Sequence, residues 1–231
     1  MGILLIRVLA AAATISLLTG ASGGVVHGSL KAGEDKPPIN WEARSASLDY
    51  DTHLIHLRGN VKISQKSPLP QGEISIEADE AQATSTSADS RSSHWVFTGK
   101  VHVRAESQGD LHSDHATLEI SNGELASAAV TGAPAQFEQT RSTNGRLVRG
   151  HATTINYDVA AATVKLTGDA WLADDHNEND MKAPSITYNV RNRQIQGEND
   201  KSPSSRVHVT IVPRTADGGS SPTPSSAPEK P

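Results

Sequence analysis

Between residues 40 and 212 apolar residues recur at every second position, and no segment carries the three-and-four spacing of an amphipathic helix. A short phrase recurs within this alternation: apolar, any residue, Gly, any residue, then alternating apolar positions. It reads Leu57-Arg58-Gly59-Asn60-Val61-Lys62-Ile63, then Phe97-Thr98-Gly99-Lys100-Val101-His102-Val103, then Leu166-Thr167-Gly168-Asp169-Ala170-Trp171-Leu172. Val130-Thr131-Gly132-Ala133-Pro134-Ala135-Gln136-Phe137 is a looser copy. The glycines lie 33 to 40 residues apart, the spacing of stacked repeat units rather than of one active site. Each phrase is predicted as a half-buried strand entered through a Gly bend.

A second phrase alternates with the first. Ile74-Ser75-Ile76-Glu77-Ala78-Asp79-Glu80-Ala81 resembles the segments starting at Leu111, Leu147 and Met181, and Ser45 to Asp51 opens the series with the Tyr-Asp ending repeated at Tyr157-Asp158. The unit is strand, polar turn, strand, Gly bend, strand, and the predicted class is all-β. Gln82 to Ser93 and Gln139 to Asn144 read as polar connections.

The order of these phrases, Ala-x-x-Leu-x-Tyr-Asp, Leu-x-Gly-Asn-Val-x-Ile, Thr-Gly-x-Pro-Ala-x-Phe, then Tyr-Asp and Leu-x-Gly-x-Ala-x-Leu, resembles the OstA-like family over residues 40–200. The resemblance implies a twisted β-jellyroll, open at both ends, whose apolar interior holds the acyl chains of lipid A. It also implies head-to-tail self-association into a bridge between the two membranes. The partners it implies are lipopolysaccharide, an inner-membrane LptC-like adaptor and an outer-membrane LptD-like translocon. Free strand edges near Trp41–Tyr50 and Ser185–Ile195 would let one molecule pair with the next.

Alternation places Leu57, Val61, Ile63, Ile76, Phe97, Val101, Val103, Leu118, Phe137, Ile155, Tyr157, Leu166, Leu172 and Ile186 on one face. Taken singly, each of these reads as core of a closed sandwich; together they read as candidate lining of a lipid groove. Arg58, Lys62, Arg104, Arg146, Arg149 and Lys165 are either ordinary outward charges or contacts for lipid A phosphates at its rim.

Composition narrows the function classes. Aromatic residues make up only 3% of the chain, a thin supply for a compact core but adequate for a narrow, partly open interior. A net charge of −5 with no basic stripe argues against a nucleic-acid partner. The absence of cysteine excludes a disulfide framework, a Cys-zinc site and a lipid-modified N-terminal Cys.

Arg7 precedes an apolar run from Val8 to Leu18, followed by small residues at Thr19-Gly20-Ala21. Residues 1–21 are read as a secretory signal peptide, 22–39 as a linker without strand pattern, and 201–231 as a terminal strand remnant with a Pro/Ser-rich tail. The expected address is the periplasm. A retained N-terminal anchor would instead give an LptC-like adaptor, and a closed dry core would give a structural or carbohydrate-binding β-roll.

No catalytic or metal site is expected. His112 and His115 are three apart, which in a regular strand sends the rings to opposite faces, and zinc needs three or four convergent ligands. Asp174 to Asp180 could offer oxygens to calcium but lacks the Gly of an EF-hand loop, and a charged hairpin tip is the simpler reading. Nucleophile elbows, P-loops and dinucleotide fingerprints are absent, so neither an enzyme nor a cofactor is indicated.

Overall fold

The computed structural model describes residues 16–18, 25–30, 39–49, 51–67, 72–85, 92–105, 109–121, 124–141, 146–174, 179–189, 191–192, 194–199 and 206–211. The strands in chain order are β1 (Ser16–Leu18), β2 (Val26–Leu30), β3 (Ile39–Ala43), β4 (Ser45–Asp49), β5 (Leu54–Ser67), β6 (Gly72–Ser85) and β7 (Ser93–Ala105). They continue with β8 (Gly109–Ser121), β9 (Glu124–Arg141), β10 (Arg146–Asp158), β11 (Thr163–Asp174), β12 (Asn179–Asn189), β13 (Gln194–Glu198) and β14 (His208–Thr210). All fourteen form one antiparallel sheet in the order β1-β2-β3-β5-β6-β7-β8-β9-β10-β11-β12-β13, with β4 beside β5 and β14 beside β12.

That sheet folds on itself along a line crossing the long strands at mid-length. Register breaks fall between Arg58 and Val61, Glu77 and Glu80, Thr98 and Val101, His112 and His115, and Thr167 and Ala170. The repeated Gly phrase makes these corners. Gly59 and Asn60, Gly99 and Lys100, and Gly168 and Asp169 are consecutive residues of positive φ, from 48° to 80°. Such a pair inserts one extra residue against its partner strand, and the resulting bulge bends the sheet. The glycines therefore sit in the middle of continuous strands rather than at their entrances. In the looser copy the Ala133–Pro134 peptide bond is cis.

The second repeated phrase supplies the opposing side of each corner. Buried positions step by three there, Ala78 to Ala81 and Ser113 to Ala116, against four in the Gly strands, Leu57 to Val61 and Phe97 to Val101. The step of three breaks the strict alternation once per strand. For that reason His112 and His115 both face outward, on opposite sides of a corner, rather than to opposite faces as a regular strand would place them.

Two walls result. One joins β1, β2, β3, the halves of β5 to β12 nearest the Ile63–Ile76 pairing, and β14; the other joins β4, the remaining halves and β13. Apolar side chains of both walls meet between them in one core cluster.

Several boundaries differ from the expectation. Val26–Leu30, in the stretch expected as a linker, forms a strand because it finds a partner in β3. Gln82–Ser85 and Gln139–Arg141, expected in connections, extend β6 and β9, since polar residues are tolerated on the outward face of a paired strand. Of the expected signal peptide only Ser16–Leu18 is described, paired with β2. Tyr50, Asp175–Glu178 and the tail from Pro213 lie outside the described residues.

Candidate functional site

Strand pairing aligns the apolar positions into rows that cross the sheet. On one wall Trp41, Ile63, Ile76, Val103, Leu111, Phe137, Gly150, Leu172, Met181 and Val209 stand opposite one another in succession. On the other, Leu57, Ala81, Phe97, Ala116, Val130, Ile155, Leu166, Ile186 and Gly197 form the facing row. Leu118 and Tyr157 belong to the next row of that wall, and Val61 and Val101 lie at the corner beside Ala78 and Ser113.

All fourteen predicted groove candidates thus face the interior. Twelve are buried, while Phe137 and Tyr157 are partly buried and pack on the same cluster. Alternation turned them inward because a period of two survives within each half-strand. It also marked positions that the candidate set left out. Ile39, Trp41 and Trp95 are buried, Trp95 stacking on Phe97 with ring centroids 5.9 Å apart. The spacings Ile39-x-Trp41-x-Ala43 and Trp95-x-Phe97 carried that signal.

The size of the lining changes along the molecule. Near the first strands it is built of Ile39, Trp41, Leu57, Ile63, Ile74, Ile76, Trp95 and Phe97. Toward the last strands the corner row becomes Ala135, Ala152, Ala170 and Ala183, and Gly150 and Gly197 interrupt the other rows. Gly150 is needed where it stands: a Cβ there would lie 2.4 Å from the Phe137 ring.

The two ends also differ in cover. Trp41 is shielded by β2, whose Gly28 lies so close that a Cβ would fall 2.1 Å from the indole. At the other end the rows run out uncovered, leaving Ile195 46%, Val209 52% and Ile211 70% exposed.

Charge is kept outside. Arg58, Lys62, Arg104, Arg149 and Lys165 alternate with interior residues and are exposed on the outer faces. Arg58 Nε donates to Glu80 at 3.0 Å, Arg104 Nε donates to Asp110 at 3.2 Å, and Lys62 Nζ lies 3.8 Å from Glu77. Of the two readings open for these cations, the outward one fits these five, because alternation turns them away from the interior; the Arg146 side chain lies outside the described ones. Inside, burial raises the Tyr157 hydroxyl above its ordinary pKa and keeps it neutral between the walls.

The free edges match the expected stretches in part, since β4 lies within Trp41–Tyr50 and β13 starts within Ser185–Ile195. Trp41 and Glu42, by contrast, are paired on both sides, by β2 and β5, and Ser185–Asn189 is flanked by β11 and β13. Among the described residues the uncovered edges belong to β1 and β4 at one end and to β13 and β14 at the other.

Residues 75–194, spanning most of β6 through β12 to the start of β13, match the family described as LptA/(LptD N-terminal domain) LPS transport protein. The chain belongs to this family. Membership accords with the OstA-like resemblance of the repeated phrases. The lipopolysaccharide export system protein LptA of Escherichia coli K12 is 29% identical over 181 residues, 78% of this chain and 74% of its own length. Its Shigella flexneri counterpart matches to the same extent, 29% over 181 residues. Among solved structures, LptH of Pseudomonas aeruginosa, described as the LptA-homologous periplasmic component of the lipopolysaccharide transport device, superposes with a TM-score of 0.50. At 22% identity, covering 61% of this chain and 95% of LptH, it shares the open all-β fold of this LPS transport family member.

Proposed function

We propose that this protein is a periplasmic carrier that shields the acyl chains of lipopolysaccharide between its two walls and hands them to a neighbour docked at its end. The observation that carries this reading is the continuity of the interior rows, which run through every long strand and end uncovered at Ile195 and Val209. Each buried methylene contributes about 0.8 kcal/mol, so one long acyl chain gains on the order of 10 kcal/mol on leaving water. A chain moving between two equivalent apolar interiors keeps that gain, so transfer proceeds at little net cost. No bond need be made or broken, and the protein acts as a carrier rather than an enzyme.

Handover requires end-to-end contact. The edges of β4 and β13 expose backbone groups that a second copy, an LptC-like adaptor or an LptD-like translocon can pair with by strand addition. Heterologous pairing of one end with the other does not close, and so it extends into a bridge. In this reading Leu57, Val61, Ile63, Ile76, Phe97, Val101, Val103, Leu118, Phe137, Ile155, Tyr157, Leu166, Leu172 and Ile186 part to admit the lipid.

The test is photocrosslinking of lipopolysaccharide to the purified protein, with a photoreactive residue at Ile63, Val101, Ile155 or Leu166 and Lys100 as the outward control. Adducts at the interior positions and none at Lys100 are expected. If no position crosslinks, the interior is a filled core and the carrier reading fails.

A further inference from the structure

A second concave site lies at the corner, where outward side chains meet Ala170 and Ala183 of the corner row. Near the corner of β10, β11 and β12 an open groove of about 1010 Å³ is lined by His151, Trp171, Lys182 and Ser185, and bordered by Asn199 and Arg206. Strand register builds its floor. His151 stands opposite Trp171, Trp171 opposite Lys182, and Lys182 opposite His208, so these four side chains form one outward row. The His151 and Trp171 rings stack at 5.2 Å with 25° between their planes, making a flat aromatic plate.

Three features decide what such a groove takes. The chain has three tryptophans; Trp41 and Trp95 are buried in the core, while Trp171 alone lies on the outer face. Asp169, Asp180 and Glu198 line the groove together with Lys182 and Arg206, so both signs of charge converge there. A simple phosphate would meet three carboxylates. A neutral or mixed-charge ligand rich in hydroxyl groups finds donors and acceptors on every side. Finally, Ser185 Oγ is buried and has no hydrogen-bond partner among the described residues, a desolvated hydroxyl that a ligand hydroxyl would satisfy.

We propose that this groove binds an oligosaccharide, with the CH face of a sugar ring packed on the Trp171–His151 plate and its hydroxyls met by Asp180, Lys182 and Ser185. The open groove suits a segment of an extended glycan rather than an enclosed small molecule. Two glycans share this chemistry: the sugars of lipopolysaccharide and the strands of the cell wall. The proposal does not rest on the interior reading, because His151, Trp171 and Lys182, which carry it, alternate with the interior positions Gly150, Leu172 and Met181.

The experiment uses the full chain and two probes: lipid-free oligosaccharide from deacylated lipopolysaccharide, and soluble glycan fragments of peptidoglycan. Iodide quenches exposed indoles, so Trp171 reports the groove while Trp41 and Trp95 stay silent. At least one probe is expected to protect the emission from iodide, and whichever does so identifies the source. Trp171→Ala and Lys182→Ala should each weaken binding at least tenfold by calorimetry. Lys62→Ala, an outward substitution at the far end of the same wall, should leave it unchanged. Absence of protection and of binding heat with both probes would overturn the proposal, as would unchanged affinity in Trp171→Ala and Lys182→Ala.

Discussion

The first and last strands of this sheet are built on the same corner but finish differently. At the first, large side chains such as Ile39, Trp41 and Ile63 fill the space between the walls, and β2 covers them. At the last, the corner row passes from Val61 and Val101 to Ala135, Ala152, Ala170 and Ala183, Gly197 stands in β13, and Ile195, Val207, Val209 and Ile211 are left facing water. Repetition of a unit therefore conserves the bend, which depends on Gly and its neighbour, while the side chains between bends are free to vary. A packed end gives the sheet its stability, and in the proposed reading the uncovered apolar end is where a partner docks.

The largest expected contrast is in stability. Phe97→Ala removes a fully buried ring and should cost about 3–5 kcal/mol in urea unfolding. Val209→Ala, at a half-exposed position in the last strand, should cost less than about 1 kcal/mol. Equal losses would mean that the two ends are equally packed. The corners offer a control that should not distinguish the halves. A Cβ at Gly99 would lie 2.5 Å from Asp79 Oδ2, and one at Gly168 would lie 2.7 Å from Thr153 Oγ1, with φ near 80° in both. Gly99→Ala and Gly168→Ala should each destabilise by about 1–3 kcal/mol. A neutral result at either position would show that the bulge does not need its glycine.

Association should respond in the opposite sense. Val209→Asp and Ile211→Asp place charge at half-exposed and mostly exposed positions, so the fold should change by less than about 1 kcal/mol. Concentration-dependent self-association, followed by sedimentation velocity, should be lost. If these variants still associate as the parent does, the uncovered end is not the contact.

What could be read from the chain, and what could not, follows the same division. Alternation marked Leu57, Ile63, Phe97 and Leu166 as interior because a period of two is local to each half-strand. The recurring Gly-x pair marked the bends, although reading them as strand entrances missed that each strand runs through its corner. Pairing partners were less legible. That β2 covers β3 depends on Gly28 meeting Trp41, a contact between separate strands that no local pattern records. The outward row of His151, Trp171, Lys182 and His208 was hidden for the same reason, since its members come from four strands and only the register sets them side by side.

The smallest expected effect concerns pH and again separates the two ends. On the outer faces of β5 to β8, Glu80 is held below the ordinary carboxylate range chiefly by the hydrogen bond from Arg58, then by that from His56. Asp110 is lowered by His102 first and Arg104 second. A carboxylate whose folded pKa is depressed contributes stability that is fully present above its unfolded value, near 4.5 for Glu80 and 3.8 for Asp110. That contribution is lost as pH falls through the lower, folded value. Both groups are largely solvated, so each is worth only about 0.2–1 kcal/mol. Acidification from pH 5 to pH 2 should therefore loosen β5 to β8 more than Glu80→Gln and Asp110→Asn variants of the same strands loosen over that range. Hydrogen exchange resolved by strand is the measurement. If the parent and the double variant lose protection in parallel, the outward pairs do not couple the first half of the sheet to pH.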